Sequence, residues 1–94
     1  MYNYPQQRHQ IFTESGQRLF LAIRDQVHGL IAQSGAVTMG KATSLPRGIS
    51  TANSWDLMAC VDRLVELGEI LEVLQRAPAC GQDRVFVGRK SDDR

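Results

Sequence analysis

Cysteine is scarce in this chain: Cys60 and Cys80 are the two present among 94 residues. Two thiols do not make the staple framework of a small secreted fold. With neither a Cys-x-x-Cys spacing nor a nearby histidine pair, they do not suggest a four-ligand zinc site either. Long apolar runs are also missing. No stretch approaches the roughly 18–20 apolar residues that a membrane-spanning helix needs. The opening M-Y-N-Y-P-Q-Q-R-H-Q lacks the basic start and apolar centre of a signal peptide, so a cytoplasmic location without membrane contact is the expectation. An excess of one charge is absent as well: 11 Lys and Arg against 10 Asp and Glu leave a formal +1. Such a balance neither demands nor excludes an acidic partner, because distribution matters more than the sum.

Catalytic signatures are equally sparse. There is no phosphate-cradling G-x-x-x-x-G-K-[ST] run and no G-x-S-x-G elbow. Asp56 and Asp62, on one helix, would point roughly 240° apart and do not form a carboxylate pair. Asp62 and Glu66 do share a face, but acids at that spacing are ordinary solvated surface. A non-enzymatic protein without cofactor or metal is expected.

What is present is enough apolar side chain, 43% of the residues, for one domain with a modest core. Residues 1–12 carry no apolar period and read as a flexible arm, in which Tyr2, Tyr4, Arg8 and His9 are the side chains suited to order on a partner. The domain proper is expected over 13–88, followed by a flexible tail over 89–94. Thr13 or Ser15 caps a first helix whose stripe is Phe20, Ile23, Val27, Leu30 and Ile31, ending near Ser34-Gly35. Leu21 falls off that stripe, where it either widens the buried face or meets a second subunit. Val37 to Ala42 admits two readings, a short helix capped by Thr38 with Ala42 and Leu45 inward, or an extended Ala36–Met39. Pro46 and Gly48 punctuate the chain, and Ile49 anchors it.

Asn53 or Ser54 then caps the next helix, with Leu57 or Met58, Val61, Leu64 and Val65 inward and Gly68 closing it. Cys60 reads as a small buried side chain. Arg63 and Glu66 are spaced to pair. Ile70–Gln75 and Val85–Val87 read as two antiparallel strands, with Pro78 and Gly81 in their connection. Charge along this stretch is uneven: residues 64–74 carry Glu66, Glu69 and Glu72 and no basic residue, whereas residues 75–90 carry Arg76, Arg84, Arg89 and Lys90 against Asp83 alone.

A threonine-led short helix, a turn, a helix ending in L-V-E-L-G-E-I, and two strands returning through R-V-F-V together resemble the winged helix-turn-helix superfamily. The resemblance covers Val37 to Val87, and reaches further when the first helix is included. It implies a small α+β winged helix-turn-helix domain with a two-stranded wing, acting as a regulator that occupies duplex DNA through the 53–67 helix and the 76–84 wing. On that pattern Asn53, Ser54, Trp55, Met58 and Ala59 would face bases, and Lys41, Arg47, Thr51, Arg63, Arg76 and Arg84 would meet phosphate. A homodimer through the first helix, the arm or Leu21 would extend the reader. Trp55 is bulky for a base-edge reader, and Asp56 and Asp62 repel phosphate. Duplex DNA remains the leading expectation, and those departures support an alternative, a protein-binding adaptor or inhibitor that uses a surface around Trp55.

Overall fold

Thr13 starts the longest helix by accepting the Gly16 N–H on its side-chain oxygen at 3.0 Å. In the computed structural model, which describes residues 1–75 and 81–89, this helix is α2, Glu14–Ser34. Phe20, Ile23 and Val27 of the expected stripe are buried and Leu19 joins them, while Leu30 and Ile31 pack partly buried at the margin. Leu21 is exposed. Gly35 ends the helix at φ 82°, a left-handed conformation that a side chain would strain.

The next segment takes both conformations that its sequence left open. It is extended as β1, Ala36–Thr38, and helical as α3, Met39–Ala42. Thr38 joins the two, its side chain accepting the Lys41 N–H at 3.2 Å. Val37, Met39 and Ala42 enter the core. Leu45, expected to point inward, is exposed instead, and Pro46 beside it is buried.

Asn53 caps α4, Ser54–Glu66, by accepting the Trp55 N–H at 2.8 Å. Leu57, Ala59, Cys60, Val61 and Leu64 are buried. Gly68, at φ 79°, then turns the chain, and the Glu69 N–H returns to the Leu64 carbonyl. The strands β2, Ile70–Glu72, and β3, Val85–Gly88, pair antiparallel with Leu71 opposite Val87. Beyond β2 the Val73 N–H still reaches the Val85 carbonyl at 2.8 Å, although the strand stops short of the expected Gln75. Strand β1 pairs on the other edge of β3, so the sheet has three strands in the order β1-β3-β2, one more than the hairpin alone. Phe86, on the central strand, is the largest fully buried side chain among the described residues.

Residues 1–12 were expected outside this fold, and they lie on it. Asn3 caps a single turn, α1, Tyr4–Gln7, which continues into a 3-10 turn over Arg8–Phe12 and delivers Ile11 to the core. Gly16 makes the approach possible: a Cβ there would overlap the Gln10 carbonyl oxygen and stand 2.9 Å from the Ile11 Cα. The fold is therefore α+β, with α2 and α4 packed on each other and on one face of a short antiparallel sheet, and with the opening segment against both helices. No helix of the described residues is long and apolar enough to cross a membrane.

Candidate functional site

The outward face of α4 is where the sequence put most of its candidate residues. Trp55, Asp62 and Glu66 recur at intervals that keep them within about 40° of one another around the helix axis. The opening segment runs along this face. Tyr2 donates its hydroxyl to Asp62 Oδ2 at 2.5 Å, and Tyr4 donates to Glu66 Oε1 at 2.7 Å. Gln7 Nε2 donates to Asp56 Oδ1 at 2.5 Å, and Arg8 Nε donates to Glu66 Oε1 at 2.9 Å. The Tyr2 ring meets Trp55 edge-on with centroids 6.4 Å apart. Phe12 lies beneath two guanidinium groups, those of Arg8 and Arg63, at 5.0 and 5.2 Å from its ring centre.

These contacts set the electrostatics. Hydrogen bonds from Tyr4, Arg8 and Arg63 hold the Glu66 carboxyl down at about 2. Burial, and then the bond to Glu66, push the Tyr4 hydroxyl up to about 12; burial and Asp62 raise Tyr2 further. Glu66 is half-exposed, so solvent screens its pairs and their worth to stability is small.

A second cluster joins α4 to the sheet. Arg84 donates from Nη2 to Asp62 Oδ1 at 2.7 Å and to Glu72 Oε1 at 2.8 Å, and from Nε to Glu72 Oε2 at 3.0 Å. Its carbon over Phe86 is 5.3 Å from the ring centre. Glu72 first and Asp62 second keep the guanidinium charged, and the same bond draws Glu72 below the usual carboxylate range. A third cluster ties α2 to the turn before β2: His28 Nε2 and Arg24 Nε lie 2.8 and 2.9 Å from Glu69 Oε1, and they lower that carboxyl in that order.

Set against the expected nucleic-acid contacts, the eleven candidates separate. Ala59, expected to face a base, is fully buried, because α1 and the turn after it cover that side of α4. Arg63 is paired with Glu66 at 2.8 Å, the arrangement its spacing allows. Arg84, expected at phosphate, is turned into the domain by Asp62 and Glu72. Asn53 uses its side chain as the helix cap. Lys41, Arg47, Thr51, Ser54 and Trp55 are exposed, and Met58 is half-buried. Arg76 lies outside the described residues, as do Pro78 and Cys80 of the expected connection between the two strands. No family model, curated protein or solved structure gave a significant match to the chain.

Sequence reasoning had picked out Tyr2, Tyr4 and Arg8 as side chains that order on a partner, and missed that the partner is α4 of the same chain. The usable signal was complementarity: a polar segment rich in donors, and three acids on one helix, Asp56, Asp62 and Glu66, with only Arg63 to neutralise them. Elsewhere, a cleft of about 260 Å³ opens between the start of α2, the residues before α4, and α4 itself, with Asp56 and Thr51 on its rim and Cys60 in its wall. Burial pushes the Cys60 thiol up to about 12, so the cleft offers no ready thiolate.

Proposed function

We propose that this chain is a winged helix-turn-helix domain that works without catalysis, by binding another protein through the outward face of α4 around Trp55. One observation carries the reading: the carboxylates of that face and its neighbourhood already occupy two of the arginines, Arg63 and Arg84, that a DNA reader would extend to phosphate. Arg84 lies between Asp62 and Glu72, and Arg63 is held by Glu66. What α4 offers outward is Trp55, 41% exposed, Met58 beside it, and acids. An aromatic anchor with a polar surround suits a protein interface, whereas fixed carboxylates oppose a polyanion. The domain type is supported by the succession of α2, α3 and α4, followed by the β2–β3 pair closed on β1.

Duplex DNA is the second reading, favoured by Lys41, Arg47, Thr51 and Ser54, which are all exposed. A photoreactive amino acid placed at position 55 or at position 47 in cells that make the protein separates the two. Protein adducts at 55 with nothing on nucleic acid at 47 are the expected result. Nucleic-acid adducts at 47, together with duplex binding whose salt slope falls by about one on each of Lys41→Ala and Arg47→Ala, would replace the first reading by the second.

A further inference from the structure

Residues 2–8 amount to a short peptide already seated on α4. Its four side-chain contacts run one way: hydroxyls, an amide and a guanidinium donate, and Asp56, Asp62 and Glu66 accept. Asp62 and Glu66 are one helical turn apart, and Tyr2 and Tyr4 match them in order along the segment. The surface therefore has a defined preference. It accepts donors borne on an extended or singly turned strand, takes an aromatic edge against Trp55, and repels phosphate or carboxylate.

The segment is held lightly. None of residues 2–8 is fully buried: Tyr2 and Tyr4 pack partly buried against the core, and the fully buried anchor, Ile11, lies beyond the peptide. Net hydrogen bonds are individually weak, those to Glu66 are screened by solvent, and Asp62 keeps Arg84 when Tyr2 leaves, so releasing residues 2–8 costs less than opening the core.

We infer that the α4 face is a recognition site for a partner segment carrying tyrosine hydroxyls and an arginine, and that residues 2–8 occupy it in cis as a displaceable competitor. The inference rests on the protein-binding reading of this face and adds the chemistry of the partner. Displacement frees Asp62 from Tyr2 but leaves it bonded to Arg84, so the site keeps its shape when the segment leaves.

A fluorescein-labelled peptide of residues 1–10 is the probe, titrated against three full-length proteins and followed by anisotropy and by emission of Trp55, the one tryptophan. The wild type competes with itself and binds the probe weakly. A Tyr2→Phe/Tyr4→Phe/Arg8→Ala variant, whose own segment is loosened, binds it about ten-fold more tightly, because the open fraction scales the apparent affinity. Adding Asp62→Asn/Glu66→Gln to that variant removes the gain, and a probe phosphorylated on both tyrosines binds none of the three. Gly16→Ala loosens the segment by a separate route and gives the same gain if the triple substitution perturbs folding. Circular dichroism checks the fold of each. Absence of binding to both loosened proteins, or equal binding with and without the two carboxylates, overturns the inference. Protein adducts at position 55 alongside that failure would leave the protein-binding reading standing and only the partner chemistry wrong.

Discussion

Replacing Arg84 by methionine tests the structure at the point where fold and function part. The guanidinium is 19% exposed and its partner Asp62 is 11% exposed, while Glu72 at 36% is well solvated. Methionine keeps a stem that packs over Phe86, so what is lost is charge and hydrogen bonding rather than volume. An exposed pair is worth about 0–1 kcal/mol, and stripping one partner from a buried pair costs about 3–5 kcal/mol. Glu72 falls near the first limit and Asp62 nearer the second, although Tyr2 still donates to Asp62. The sum is a loss of about 2–3 kcal/mol. For a domain of this size that lowers the melting temperature by roughly 10–20 °C.

Urea unfolding followed by Trp55 emission measures the free energy, and a thermal scan by circular dichroism measures the midpoint. Neutralising both acids in the same chain, Arg84→Met/Asp62→Asn/Glu72→Gln, is expected to restore about half of the loss, since the stranded carboxylate is then gone. A loss below about 0.5 kcal/mol, the range of an ordinary surface substitution, would refute the placement of Arg84 as a strut between α4 and the sheet. It would return that arginine to the candidates for phosphate contact.

Gly16→Ala forces the Gln10–Ile11 backbone off α2 and is expected to cost about 1–3 kcal/mol, with earlier proteolysis within residues 1–12 and a shift of Trp55 emission; wild-type protease resistance would contradict the close approach. The tyrosine–carboxylate contacts set the pH range of docking. Glu66 is depressed from 4.5 to about 2, so its contribution is present above 4.5 and fades as pH falls toward 2. Tyr4 is raised from 10.0 to about 12, so its contribution is present below 10.0 and fades as pH rises toward 12. Trp55 emission should therefore be flat between those limits, and a transition near neutrality would count against these contacts. Cys60, buried with its thiol raised, is expected to react with a thiol reagent only on unfolding in a Cys80→Ser variant, whereas labelling of the native protein within minutes would place it at the surface.

Much of the framework was legible because local chemistry sufficed to specify it. Thr13, Thr38 and Asn53 each cap the helix that follows them, and the stripe of α2 buries as its period requires. The two conformations of Val37–Ala42 could not be ranked from sequence, since β1 depends on Phe86 and its strand, distant in the chain. Ala59 shows the same limit from the site side. A small side chain opposite the core stripe of a helix reads as exposed, and only the arrival of residues 1–12 buries it. Arg84 was legible as a cation but not as a paired one, because its acids come from α4 and from β2.

The acids of α4 looked out of place for a DNA reader, and the structure gives them work of another kind. Asp62 and Glu66, four residues apart on one face, repel each other and would destabilise an uncovered helix. Arg84 and Arg63 offset part of that cost from within the domain, and Tyr2, Tyr4 and Arg8 supply further donors from the opening segment. On the proposed protein-binding reading, stability and binding are linked on one surface. A partner that lifts the segment must bring equivalent donors or leave these carboxylates under-satisfied, and a partner lacking them gains too little to displace even a lightly held peptide. Affinity would then track the donors a partner presents to Asp62 and Glu66 more closely than the apolar area it lays on Trp55.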